Sequence, residues 1–368
     1  MRVERPWLFI LTILASRPLF AQLPLHPDHR FFKLGDFRLE SGKVLPGARM
    51  LYVTYGRLNT ARDNAVVTLS YHGGDHHGYD FLLGPGGGLD TTRYLVIATE
   101  MFGAGGSSSP NNTAAPHNGP RFPQTTIRDN VAAIHRLVTE GLGLRHVRAV
   151  AGFSMGAMQA LQWAVSQPDF MDAVVAWCGT ARTYPGTWLM VETGIRVWQA
   201  DAAFADGNYT SRPWKGQAAS AAHWATWLYS DEWWQREMYK PKWSSPQELL
   251  ADWSTDSTAQ DPNNEILQSR TWQQHDVGNT AGFDGDLGRA LGSIKVSVLL
   301  MPSTTDRFFP MSDMLRESRL LRHVKVAPIE SLWGHTAGAG CEWCRVKEAL
   351  FLNQEIGQFL AAAPARPR

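Results

Sequence analysis

Three side chains, far apart in the chain, have the types and the order that acyl chemistry requires. Ser154 sits in Gly152-Phe153-Ser154-Met155-Gly156, Asp306 in Ser303-Thr304-Thr305-Asp306-Arg307-Phe308, and His335 in Trp333-Gly334-His335-Thr336. A serine hydroxyl attacks a carbonyl only when a base takes its proton, and an imidazole does this best when a carboxylate fixes its tautomer and stabilises its charged form. Gly-x-Ser-x-Gly alone is a weak signal, at home in any strand-to-helix turn. Its surroundings narrow the reading: the largely apolar run Val147 to Ala151 precedes it, and Met158, Leu161 and Val165 follow at helical spacing. Strand, tight corner, helix is the setting that lifts a serine above a sheet, with a helix N-terminus beneath it.

The oxyanion formed in such an attack needs two backbone donors. One is the N–H of Met155, directly after the serine; the other is expected from the loop after the strand ending at Leu69, where His72 or Gly73 would supply it. That loop continues as Gly74-Asp75-His76-His77. The cluster could hold a metal, but adjacent histidines are expected to point apart and no distant partner motif is evident, so the expectation is a solvated or structural role and no metal. Other acids and bases fit less well. Asp284, Asp286 and Asp313 lie off the turns that directly follow core strands, and Glu330 is too near His335 in sequence to approach from a separate loop. His275 falls in an insertion and His323 within the last crossover.

Positioning these groups takes a sheet. Phe31 to Leu39 and Arg49 to Tyr55 alternate around a Gly42/Pro46/Gly47 turn, which suggests an antiparallel pair at the sheet edge. The mainly apolar runs Ala65 to Leu69, Tyr94 to Ile97, Val147 to Ala151 and Ala173 to Trp177 read as buried parallel strands, joined later by Val296 to Met301 and Val324 to Ile329. Helices are expected from a Thr126 cap to Gly141 and Gly143, over Ser312 to Leu321, and through Val346, Leu350, Ile356 and Phe359. The alternation implies an α/β fold with a mostly parallel, doubly wound sheet. It breaks after Thr180, where a polar, tryptophan-rich stretch reads as an inserted helical lid whose underside could wall an apolar pocket. Gly84 to Gly88 opens no helix after a strand, so no dinucleotide site is expected there.

The 368 residues, 44% hydrophobic, suffice for a large core, and a net charge of +1 without a basic stripe argues against nucleic acid as a partner. Arg2 and Arg5 before the apolar run Trp7 to Ala15, with Ala21 ahead of Gln22, read as an export signal. A retained anchor is the alternative, although the run is short for a bilayer. Export would place the mature protein in a secreted or periplasmic setting, where Cys341 and Cys344 could pair or stay reduced; Cys178 reads as a buried small hydrophobe.

Beyond these local signals, the chain resembles the homoserine O-acetyltransferases of the α/β-hydrolase superfamily. The resemblance rests on YVTYGRLNTARD (52–63), GPGGGLDTTRYL (84–95), FPQTTIRD (122–129), GFSMGAMQALQWA (152–164), DRFFP (306–310) and Gly334-His335, in that order. It implies an α/β-hydrolase fold, a late helical lid, and Ser154, Asp306 and His335 as nucleophile, acid and base. Two departures accompany it. Members usually follow the histidine with an aspartate that helps hold the amino-acid acceptor, where this chain has Thr336, and they carry a lid arginine for the acceptor's carboxylate, where it has Ala221. Members of this appearance include carboxylesterases.

The expected organisation is a signal peptide over 1–21, a hydrolase core over 22–180 and 291–368, and a lid over 181–290. The expected activity is an exported serine hydrolase that cleaves carboxylic esters through an acyl-enzyme on Ser154. The alternative is an O-acetyltransferase moving an acetyl group from acetyl-CoA to homoserine or another alcohol. No cofactor is expected, the partner is a small-molecule ester, no stable membrane association is foreseen, and a homodimer is left open.

Overall fold

A computed structural model describes residues 28–341 and 344–365, so the stretch read as an export signal lies outside the described residues. Eight strands form one sheet in the order β1-β2-β4-β3-β5-β6-β7-β8. β1 (Arg30–Arg38) and β2 (Val44–Tyr55) make an antiparallel edge, and β2 runs antiparallel to β4 (Leu95–Thr99). β3 (Ala65–Leu69), β4, β5 (Val147–Phe153), β6 (Met171–Trp177), β7 (Ser297–Met301) and β8 (Val324–Val326) are parallel. The last is shorter than expected; Ile329 makes only an isolated parallel bridge to Ser303.

The continuous apolar runs follow from helices on both faces. Successive residues of a strand point to opposite sides. Val67, Val150, Val174 and Leu300 therefore face one layer of core, while Val66, Ala149, Val175 and Leu299 face the other. The first face is covered by α1 (Ile127–Arg136) and α2 (Met155–Ser166), the second by the C-terminal α10 (Val346–Ala362), so neither side of the central strands meets water. Thr126 caps α1 in a reciprocal box with Asp129, but the helix stops at Arg136 and continues to Gly141 as one wider turn.

Between β6 and β7 the chain leaves the sheet for α3 (Pro185–Gln199), α4 (Trp214–Leu228), α5 (Asp231–Gln235), α6 (Pro246–Thr255) and α7 (Pro262–Gln273). Four of the tryptophans here pack in a separate small core, where Trp233 and Trp243 join Tyr229, Tyr239 and Leu249 with Trp234 and Trp253 against them, while Trp224, Trp227 and Trp272 pack on the main core. α8 (Leu287–Gly292) falls inside the span read as lid, yet its Ala290 and Leu291 pack in the main core with β7. α9 (Met311–Ser318) completes the crossover to β8. Among the described residues no helix is long and apolar enough to cross a membrane.

Candidate active site

At the end of β5 the backbone of Ser154 adopts φ 55° and ψ −124°, a left-handed corner costly for a side-chain-bearing residue. The flanking glycines make it passable. A Cβ on Gly152 would lie 2.1 Å from the Gly156 carbonyl, and one on Gly156 2.1 Å from the Leu69 carbonyl oxygen, so α2 could not leave β5 at this angle with any other residue there. The corner is pinned by the Ser154 N–H, which donates to the Trp177 carbonyl at 3.0 Å. Beneath it the Tyr79 hydroxyl donates to the Leu69 carbonyl and accepts from the Phe153 N–H, tying β3 to β5.

The structure brings the three distant residues together. His335 Nε2 lies 3.0 Å from Ser154 Oγ, and His335 Nδ1 lies 2.8 Å from Asp306 Oδ2. All three are buried. Asp306, after β7, is held at its other oxygen by the N–H groups of Phe308 and Phe309, at 2.8 and 3.1 Å. The loops carrying acid and base are joined as well: Ser303 Oγ donates to the Gly334 carbonyl and the Gly334 N–H donates to Thr305 Oγ1. The imidazole sits between Phe153 and Phe308, which stack on it at 4.7 and 4.5 Å. Cys178 lies near Asp306, but burial, and then that carboxylate, push its thiol well above the usual range, so it offers no rival nucleophile.

Met155 begins α2, where N–H groups have no acceptor within the helix. The loop after β3 differs from expectation at Gly73, whose N–H donates to Gln268 Oε1 of α7 at 3.0 Å. His72 approaches the same helix through Nε2, 3.0 Å from Ser269 Oγ, and burial pushes its pKa down to about 4, so its ring is neutral at working pH.

A cavity of about 340 Å³ opens over Ser154. Its walls include Tyr71, Trp224, Trp272, Phe308 and Thr336, with no lysine or arginine among the described residues that line it. They do include Glu265, a buried carboxyl that burial pushes above its ordinary range and that accepts from Trp224 Nε1 at 2.9 Å and Ser220 Oγ at 3.2 Å. Thr336 Oγ1 donates to the Trp333 carbonyl, and Ala221 lines a neighbouring cavity that shares Trp224 and Glu265. Glu265, Gln268 and Ser269 carried no signal in the sequence because polar residues of a helix read as solvent-facing, and Gln260 carried none because it lies in the loop before α7.

Two further outcomes concern the remaining candidates. Cys341 and Cys344 are joined by a disulfide. The histidines expected to diverge instead converge: one ring nitrogen from each of His29, His76 and His77 lies within 4.8 Å of the others.

The sequence model of the alpha/beta hydrolase fold matches residues 86–330. The chain belongs to the α/β-hydrolase family. Within it, this hydrolase is 32% identical over 315 residues to an ethyl acetate hydrolase of Pseudomonas veronii, covering 84% of this chain and 90% of that one. It is 30% identical over 333 residues to a homoserine O-acetyltransferase of Symbiobacterium thermophilum, covering 81% and 87%. Among solved structures it superposes on the acetyl esterase MekB with a TM-score of 0.87 and 30% identity, over 92% of this chain and 98% of that one. It is an esterase-like enzyme of the branch that also holds the homoserine O-acetyltransferases.

Proposed function

We propose that this hydrolase is an exported serine carboxylesterase acting on small neutral esters through an acyl-enzyme on Ser154. His335 Nε2 takes the hydroxyl proton as Ser154 Oγ bonds to the ester carbonyl carbon. The resulting oxyanion is received by the N–H of Met155 and, since Gly73 N–H is engaged by Gln268, by that of His72. Collapse breaks the bond to the alkoxy oxygen, which leaves as alcohol with the proton from His335. Water, deprotonated by the same imidazole, then releases the acid and restores Ser154.

The observation that carries this reading is the hydrogen-bonded chain Ser154, His335, Asp306 at the floor of a cavity lined by no cation. The alternative, acetyl transfer to homoserine, draws on the Symbiobacterium thermophilum relative. An amino-acid acceptor brings a carboxylate, and a site that receives it needs a positive partner. This cavity has Glu265 instead, which opposes such a group once ionised. By likeness to the Pseudomonas veronii enzyme, acetate esters are the first substrates to test. Export is supported by the sequence of residues 1–21 and by the Cys341–Cys344 disulfide, since such bonds persist in oxidising compartments.

Purified protein is expected to hydrolyse ethyl acetate and p-nitrophenyl acetate, to be labelled once by a fluorophosphonate, and to lose both properties in Ser154→Ala. Acetyl-CoA with homoserine should yield no O-acetylhomoserine above the rate of hydrolysis; the opposite result favours the transferase. Secretion in a bacterial host should give a mature chain starting at Gln22 by N-terminal sequencing, and a chain retained in the cytoplasm with Met1 or Arg2 first would refute export.

A further inference from the structure

Past the turn that holds His72 and Gly73, a second group of side chains takes no part in acyl chemistry. His76 and His77 open a short helical turn, His76–Leu82, whose leading residue Asp75 accepts from the His77 N–H at 2.8 Å. His76 Nδ1 lies 2.7 Å from Glu100 Oε1, with both side chains buried, and His77 Nδ1 lies 2.8 Å from Asp80 Oδ2. These carboxylates are themselves held, Glu100 by the Gly106 N–H at 3.0 Å and Asp80 by the Tyr55 hydroxyl at 3.4 Å. His29, just before β1 and distant in sequence, brings its ring edge-on to His76 with centroids 4.8 Å apart, and the rings of His76 and His77 are 4.1 Å apart.

An imidazole whose Nδ1–H is given to a carboxylate is fixed as the tautomer that presents Nε2, and its basicity is raised; this is how proteins hold metal-bound histidines. Two neighbouring histidines here have separate carboxylates in that role, and a third imidazole meets them from another element. One ring nitrogen from each of the three lies within 4.8 Å of the others, a converging donor set.

We propose that His29, His76 and His77 bind one divalent transition-metal ion, with Zn²⁺ the best match to the ligand set. Three imidazoles suit Zn²⁺, Ni²⁺ or Cu²⁺ and disfavour Mg²⁺ and Ca²⁺, which take oxygen ligands. Nitrogens bound at about 2.0–2.1 Å around a tetrahedral ion stand about 3.3 Å apart, so the donors, all within 4.8 Å of one another now, must draw in by at most about 1.5 Å. The exposed His29 is the ligand placed to move, and the buried His76 is the fixed one. Water or a small anion completes the shell. None of the three histidines lines the cavity over Ser154, so the ion is assigned a structural role, fastening the start of β1 to the turn that runs into Tyr79 beneath the serine corner.

The test uses the full chain with any polyhistidine tag removed and metal stripped by chelation. Titration with ZnCl₂ by calorimetry, with metal counted by mass spectrometry, is expected to give about one ion per chain. His29→Gln and His77→Gln should each weaken binding by about tenfold or more, and Asp80→Asn by about ten- to a hundredfold. X-ray absorption at the zinc edge should show an all-nitrogen/oxygen shell with imidazole scattering, and p-nitrophenyl acetate turnover should be the same in every variant. Absence of stoichiometric binding, equal competition by Mg²⁺, or undiminished affinity in the His29→Gln/His77→Gln double variant would overturn the assignment.

Discussion

Phe308 stacks on the imidazole of His335 at a centroid distance of 4.5 Å, while its own N–H donates to Asp306 at 2.8 Å. One residue thus orders both neighbours of the serine: the ring limits rotation of the imidazole, and the backbone fixes the carboxylate hydrogen-bonded to it. Because the carboxylate also accepts from Phe309, its orientation does not depend on His335.

Replacing Asp306 by Asn keeps the shape of this arrangement and removes the charge. The amide can donate to His335 Nδ1 and so favour the wrong tautomer, which in serine proteases lowers kcat by about 10⁴-fold. The same order of loss is expected here for p-nitrophenyl acetate hydrolysis, with the melting temperature nearly unchanged. A variant within tenfold of wild type would show that the carboxylate does not set the tautomer.

The glycines of the corner make a separate prediction about folding. A methyl on Gly156 would meet the Leu69 carbonyl oxygen at 2.1 Å, a backbone atom of β3 that cannot give way. Gly156→Ala should therefore cost more than about 3 kcal/mol in denaturant unfolding, at the upper end of overpacking effects or beyond. Gly186→Ala, with open space around it, is the control and should be neutral within about 0.5 kcal/mol.

Glu317 predicts a pH dependence of stability. It is buried in α9, its Oε2 accepts from the Ala181 N–H at 2.8 Å, and burial pushes its pKa from 4.5 up to about 8. Between those values the folded chain holds a proton that the unfolded chain has released, so this group's contribution falls as pH rises from about 4.5 to about 8. Glu317→Gln preserves an acceptor for Ala181 and removes the titration. Its melting temperature relative to wild type should rise steadily from pH 5 to pH 8.5; a constant difference would contradict the assignment.

Glu265 bears on selectivity. Its ionised form repels a substrate carboxylate across a cavity without cations, and burial delays that ionisation to higher pH. The ratio of kcat/KM for ethyl butyrate over monoethyl succinate should therefore widen in the wild type as pH rises above the ordinary carboxyl range. In Glu265→Gln it should stay flat and be about tenfold smaller at the alkaline end, a modest share of the cost of placing like charges together.

Much of the scaffold was legible because buried parallel strands leave short apolar runs; Ala65 to Leu69 was read with both ends correct. The grouping of Ser154, Asp306 and His335 was legible for a related reason, since each lies on a loop beyond an apolar run, although only the run before Asp306 ends where its strand does, at Met301. α7 was not. Its residues from Asn263 to Gln273 are almost all buried, yet they include Asn264, Glu265, Gln268, Ser269 and Thr271, whose burial is offset by hydrogen bonds that no periodicity announces. The convergence of His29 with His76 and His77 escaped for a different reason: a contact between a strand start and a distant turn is set by sheet order, which spacing does not encode.

The polar seam along α7 also governs how esters get in. Ser269 holds His72, Gln268 holds Gly73, Gln260 reaches the Gly103 carbonyl, and Thr271 meets Thr125, so the roof above the serine is stitched to the ground floor along its length. Swinging it aside would strand several buried donors at once. α7 is therefore expected to stay in place as substrate enters, and an oil–water boundary should bring no sudden burst of turnover, in contrast to lipases whose covers peel back at a droplet.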